Sequence, residues 1–410
     1  MATNIFLIKT TGRATKYGVG SYIETIKDLL LSRKDVNLFV VQILTGTTPG
    51  VGYVDNGKCR ELLIRLSVSR KEAYTTDGLY IDEVQARAIY GILFDFMTEE
   101  GTNIIHLNSV LETQLAEIAK EYVHCKVVYA MHVLLWQVFF KNSFARFSRE
   151  WQERADTKRI SSMKAEQRLC ELADKIVCLT PGAVRFAMDH YGARPAKLKI
   201  IHNVINCEHI YIPNVAEKEQ MRKKYGFSGS QMIVIFSGRL IYEKGLTFAI
   251  DALSRLHCKE YDFHFLICGD GDYSKVVDRS RSFTGKVSFA GFVDKKMLYE
   301  FYQLADVGIL PSFREQNSFS ALEMMAHGLP VIVCDMDAFS QFSRTEAGVI
   351  RLPVNKDPDS PFIDLDQLEH KLEEVMGDPE RWRQAGKDAG CMIRKCFSLD
   401  NMDIHELYGL

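Results

Sequence analysis

The chain has 410 residues, 47% of them apolar and 25% charged, too long for one ordinary core and too apolar for a disordered or collagen-like polymer. Its 51 Lys plus Arg nearly balance 53 Asp plus Glu, and a formal net charge of -2 removes the whole-chain attraction that a general nucleic-acid binder needs. The ten cysteines form no CxxC pair and several sit inside apolar runs, the usage of small buried hydrophobes in a reducing compartment.

In chain order, the opening apolar run is far shorter than the ~20 residues of a spanning helix, so 4–8 reads as a buried first strand and a cytoplasmic location is expected. Segments 36–44, 103–107, 126–132 and 175–180 read as further parallel strands, with helical periodicity over 20–34 and 108–124. Between them, 46–71 is rich in Gly and polar residues and reads as a long excursion outside the core. A charged helical stretch at 213–230 places a domain boundary near 200–215. A second series of strands follows at 231–238, 263–269, 286–291, 307–312, 330–334 and 348–352, separated by helices over 245–257, 295–304, 320–327 and 366–376. The expected fold class is α/β, with two Rossmann-like domains, 1–210 and 211–390, whose parallel sheets face an interdomain cleft. A helical tail over 391–410 is expected to pack back on the first domain.

Three clusters have the residue types that bind anions or sugars. Gly18 and Gly20 follow the first strand and open a helix, where backbone amides and the helix dipole favour an anion, although the spacing is neither the dinucleotide motif nor a P-loop. Arg239 and Lys244 lie five apart at the carboxyl end of the first strand of the second half, where open α/β sheets bind ligands. Solvated surface charges, with Glu243 pairing one of them, are the plain alternative. Glu315 precedes Glu323 by eight residues, roughly 12 Å if the span were helical, so one small substituent cannot meet both but a long ligand can. Ser320 and Glu323 also have capping-box spacing, a purely structural use of the same carboxylate.

These residues resemble a known family. The succession Ser-Gly-Arg239, Glu-Lys244-Gly, Gly-Asp-Gly at 269–271, Gly-Phe-Val at 291–293 and Glu315 to Glu323, followed by Ala-x-Gly-x-Pro-Val-Ile, is similar to the retaining nucleotide-sugar glycosyltransferases of family 4, glycosyl transferases group 1, with the GT-B fold. The resemblance is specific from 236 to 335 and looser before 200. It implies that Arg239 and Lys244 bind the diphosphate of a UDP- or GDP-linked sugar donor and Glu323 the ribose hydroxyls. Glu315 would contact the transferred sugar, with Asn317, Ser318 and Phe319 presenting backbone amides to sugar and phosphate. Gly18 and Gly20 match the family's amino-terminal glycine-rich loop, and His132 its strand-end histidine near the reacting sugar. The turn at 201–206 departs from the family's Pro-Asn-Gly-hydrophobic-Asp pattern, with His202, Val204 and Asn206 in place of Pro, Gly and Asp.

The resemblance implies a retaining hexosyltransferase of glycan or glycoconjugate biosynthesis, with the donor as substrate and no further cofactor. Its acceptor would be a glycan-, lipid- or peptide-linked hydroxyl. A sugar epimerase, a phosphorylase and an inactive nucleotide-sugar-binding scaffold stand as alternatives. No metal site is expected: Asp335-x-Asp337 follows the wrong strand for metal-dependent transferases and lacks a third ligand at suitable spacing. His106 and His202 read as satisfied side chains beside apolar strands. Residues 132–168 hold eight Lys plus Arg against four Asp plus Glu, with Trp136, Phe139, Phe140, Phe144, Phe147 and Trp151 interleaved. That pattern fits either a core-facing aromatic stripe or, over 136–154, contact with an acceptor or an anionic membrane at its inner face.

Overall fold

Strands of Val, Ile, Leu and Phe buried on both faces require a helical layer on each side, and the chain meets this demand twice. The computed structural model describes residues 3–10, 18–67, 81–122, 125–227, 229, 231–355 and 362–410, without the side chains of 343–347. The first sheet contains β1 (Thr3–Thr10), β2 (Val36–Leu44), β3 (Gly50–Asp55), β4 (Cys59–Arg65), β5 (Asn103–Leu107), β6 (Cys125–Met131), β7 (Lys175–Cys178) and β8 (Leu198–Ile200). Its spatial order is β3-β4-β2-β1-β5-β6-β7-β8. Ile5 lies opposite Leu38 on one side and Ile104 on the other, so the order reverses beside β1. The second sheet contains β9 (Met232–Ser237), β10 (Phe263–Cys268), β11 (Val287–Gly291), β12 (Val307–Leu310), β13 (Val331–Cys334) and β14 (Val349–Leu352). Its order, β11-β10-β9-β12-β13-β14, is that of a dinucleotide-type doubly wound sheet, with the switch between β9 and β12.

The chain divides into two compact units, Met1–Asn203 with Met402–Leu410, and Val204–Asn401. The boundary thus lies a few residues before the 210/211 position read from the sequence. The tail placed at 391–410 is itself divided, because 391–401 stay with the second unit. The reason is the helix Pro379–Cys396, whose Gly386 passes so close to Gly328 that a Cβ there would lie 2.3 Å from the Gly328 carbonyl oxygen. The last residues return to the first unit, where the Tyr408 hydroxyl meets His106 Nδ1 at 2.7 Å.

One further expectation is revised and one open reading is narrowed. Residues 50–65 are not an excursion: β4 pairs with β2 in parallel and with β3 in a hairpin, burying Leu62 and Ile64 in the core. Residues 68–71 of that segment lie outside the described residues. Of the aromatic run, Phe139, Phe140 and Phe147 are buried in the first unit, and Trp136 and Trp151 pack against its core. Among the six rings only Phe144 is exposed. Arg159 stacks over Phe140 and pairs with Glu150 at 3.0 Å, so part of the basic character serves packing as well.

Candidate functional site

In the second unit the candidate donor-binding residues Arg239, Lys244, Glu315, Asn317, Ser318, Phe319 and Glu323 all follow β9 or β12, at the carboxyl ends of the two strands flanking the switch point. The loop after β9 turns at Gly245, whose φ of +69° suits glycine. A Cβ there would lie 1.9 Å from the Pro311 carbonyl oxygen, so only glycine lets this loop lie against the end of β12. The Phe313 amide then donates to the Glu243 carbonyl at 3.1 Å, joining the two loops. That seam brings Lys244 into an ion pair with Glu315, both side chains being mostly buried. Beside it Arg314 pairs with Glu243 at 3.1 Å. Burial pulls the Arg314 guanidinium below its ordinary range, Glu243 opposes this, and the nearby charge of Arg239 adds to it. Three cations, Arg239, Lys244 and Arg314, are therefore gathered where the loops after β9 and β12 meet, with the carboxylates of Glu243 and Glu315 among them. Glu243, given as a partner for Arg239 or Lys244 in the plain alternative, holds Arg314.

The helix Phe319–Ala326 starts from this loop. Its cap is Ser318, whose hydroxyl accepts from the Ala321 amide at 3.3 Å, so Ser320 already lies in the first turn. The Ser320–Glu323 capping box is therefore replaced. Glu323 instead meets Lys295 at 2.9 Å, at the first turn of the helix Lys295–Leu304. Burial raises the Glu323 pKa, and Lys295 opposes that rise and favours the carboxylate. Ser320 is bonded to Ser237 at 3.1 Å, and Ser237 to the buried Tyr302 hydroxyl at 2.7 Å, which fixes the helix start to β9. Asn317 donates to Gln341 at 3.0 Å. Two residues central to this geometry, Arg314 and Lys295, were not singled out from the sequence. Lys295 had a signal in the Lys-Lys pair opening a helix, but its partner is a tertiary fact.

In the first unit the corresponding strand ends are those of β1, β5 and β6. Gly18 and Gly20 lie in the first turn of the helix Gly18–Leu31, and residues 11–17 lie outside the described residues. His132 follows β6; its Nε2 is 2.9 Å from Asn108 Oδ1, and its ring sits edge-on to Tyr22 at 4.7 Å between centroids. Burial pulls the His132 pKa down to about 4, so the ring is neutral at ordinary pH. His106 is fully buried between the Tyr22 and Tyr408 hydroxyls, at 3.4 and 2.7 Å, a satisfied core histidine. Asp335 pairs with Arg351 at 3.3 Å, and no cluster of three metal-ligating side chains occurs among the described residues. Among the same residues no helix is long and apolar enough to cross a membrane.

Comparison with known proteins adds the following. Residues 231–364 match the family model described as glycosyl transferases group 1. An uncharacterized glycosyltransferase of Methanocaldococcus jannaschii, MJ1607, is 33% identical over 178 residues, 42% of this chain and 45% of that protein. The D-inositol 3-phosphate glycosyltransferase of Corynebacterium diphtheriae is 27% identical over 290 residues, 68% of this chain and 64% of that protein. The chain spans about half the length of the first curated relatives it matches. Among solved structures, sucrose-phosphate synthase of Thermosynechococcus elongatus superposes with a TM-score of 0.70 at 17% identity, covering 97% of this chain and 96% of that one. Anabaena Alr3699/HepE, solved in complex with UDP-glucose, gives 0.68 at 15% identity, covering 99% and 100%. These likenesses are likenesses of fold, the two Rossmann-like domains of the GT-B class.

Proposed function

From a glycosyl transferases group 1 domain at residues 231–364 and a GT-B fold along the chain, we propose a retaining transferase that moves a sugar from a nucleoside diphosphate sugar to an acceptor hydroxyl. The observation that supports it best is the pair of lysine–carboxylate contacts, Lys244 with Glu315 where the β9 and β12 loops meet, and Lys295, after β11, with Glu323 on the helix after β12. A diphosphate arriving at that strand end recruits Lys244 and Arg239. Losing its lysine, Glu315 becomes an acceptor for hydroxyls of the transferred sugar. Glu323, whose carboxylate form Lys295 favours against burial, accepts from the ribose hydroxyls. Amides in the first turn after Ser318 add dipole stabilisation as charge grows on the leaving phosphate.

Retention is proposed by a front-side route, in which the leaving phosphate takes the proton of the acceptor hydroxyl as the new glycosidic bond forms. Glu315 and Glu323 are held by different lysines, an arrangement suited to binding two ends of a donor rather than to acting as a hydrolase-type pair. A neutral His132 positions the sugar and supplies no charge. The donor is UDP- or GDP-linked, and no cofactor beyond it is proposed. The acceptor is a glycan-, lipid- or peptide-linked hydroxyl.

A screen of UDP- and GDP-sugars by thermal shift and by donor hydrolysis tests this reading. A nucleoside diphosphate sugar that both stabilises the protein and is slowly hydrolysed supports it. Interconversion of two nucleotide sugars without an acceptor would favour an epimerase, and binding without turnover an inactive scaffold.

A further inference from the structure

Around His132 the direction of each hydrogen bond can be assigned. The Asn108 side-chain amide nitrogen donates to the Ile8 carbonyl at 2.9 Å, which aims Oδ1 the other way, 2.9 Å from His132 Nε2. An amide oxygen can only accept, so Nε2 must carry a proton. The ring is neutral, with burial holding its pKa down at about 4, so it has one proton and Nδ1 carries the lone pair. Asn108 is itself held from behind. Glu112, with no exposed surface, accepts from the Asn108 amide at 2.8 Å, the Ser109 amide at 3.1 Å and the Thr10 hydroxyl at 2.7 Å. One carboxylate thus ties the end of β1 to the turn after β5 and fixes the peptide from which the Asn108 side chain projects.

We propose that Asn108, held by Glu112, is a positioning residue that locks His132 as the Nε2–H tautomer, so that His132 meets substrate only as a hydrogen-bond acceptor through Nδ1. The partner it fits is a sugar hydroxyl. A phosphate oxygen is excluded, since it would bring a second lone pair to Nδ1, and so is proton donation to the leaving group. The identity of the hydroxyl rests on the glycosyl-transfer reading; the tautomer does not.

Long-range nitrogen–proton correlation spectra of the full chain with 15N-labelled histidine test the tautomer directly, with the His132 signals assigned by their loss in His132→Gln. The expected result is a single Nε2–H form in wild type and a tautomer mixture in Asn108→Ala. Asn108→Asp, which keeps an oxygen acceptor beside Nε2, should keep Nε2 protonated. An Nδ1–H signal in wild type, or an unchanged pattern in Asn108→Ala, overturns the proposal. Turnover of UDP-glucose and GDP-mannose supplies the second readout: Asn108→Ala should lower kcat by about tenfold or more while UDP and GDP affinity stays unchanged, with partial recovery in Asn108→Asp. Equal losses of kcat and nucleotide affinity would reduce Asn108 to a folding role and overturn it. If wild type turns over neither donor, the transfer reading is damaged, while the spectra still decide the tautomer.

Discussion

Lys244 and Glu315 neutralise one another, so an anion that recruits the lysine also releases a carboxylate acceptor. On this exchange, Lys244→Ala or Arg239→Ala should lose at least ~1.4 kcal/mol of transition-state stabilisation, tenfold in rate, with the fold retained. Unchanged turnover in both variants at limiting donor would remove the diphosphate assignment. The two carboxylates should separate in calorimetry: Glu323→Gln weakens binding of the free nucleoside diphosphate, whereas Glu315→Gln leaves it nearly intact and impairs transfer. Equal loss in the two variants would contradict that division. Lys295 adds a pH dependence whose sign is definite. Burial already raises the Glu323 pKa, and Lys295 counters it, so Lys295→Met should raise it further. Binding that needs the carboxylate is present above this pKa and lost as pH falls through it. As pH falls, nucleotide affinity in Lys295→Met should therefore be lost at a higher pH than in wild type, as read by titration at each pH.

At the scale of elements, the seam between the β9 and β12 loops depends on one backbone position. Gly245→Ala must move the Pro311 carbonyl or abandon a φ of +69°, and a cost of at least ~2 kcal/mol is expected in urea denaturation. The same variant should weaken donor binding, because Lys244 and Glu315 reach each other through that seam. Capping shows how far local pattern reaches. Both Ser318 and Ser320 are acceptable caps by residue type, and Ser320 has the better sequence partner in Glu323. The fold selects Ser318, because Ser320 is drawn to Ser237 on β9 and Glu323 to Lys295 on a separate helix. The β3–β4 hairpin escaped the pattern for a related reason: β3 is an exposed, glycine-bearing edge strand, and its apolar partner β4 was too short a signal beside it.

For the molecule as a whole, the aromatic stripe decides how a membrane surface could be used. Phe147 has no exposed surface, so Phe147→Ala should cost ~3–5 kcal/mol of stability, whereas Phe144→Ala, at an exposed ring, should change it little. Attraction to anionic lipid would then fall to Lys141, Arg146, Arg149 and Arg154, which are exposed. Neutralising all four should abolish sedimentation with anionic vesicles at low salt and leave nucleotide binding unchanged. If wild type does not sediment at low salt, a soluble acceptor is the better reading.

What the sequence determined by itself were the properties written in local pattern: two series of buried strands apart from the β3–β4 hairpin, most of the helices between them, and the strand-end placement of Arg239, Lys244, Glu315 and Glu323. Periodicity and motif spacing report these because each depends on residues close in the chain. What only the tertiary structure decided were the partners. Lys244 and Glu315 are 71 residues apart, and Asn4 and Asn103 are bonded across 99. Whether a carboxylate caps its own helix or pairs with a distant lysine depends on which backbone comes near it. Whether a phenylalanine faces lipid or core depends on what covers it. Those are properties of packing, and no window of neighbouring residues contains them.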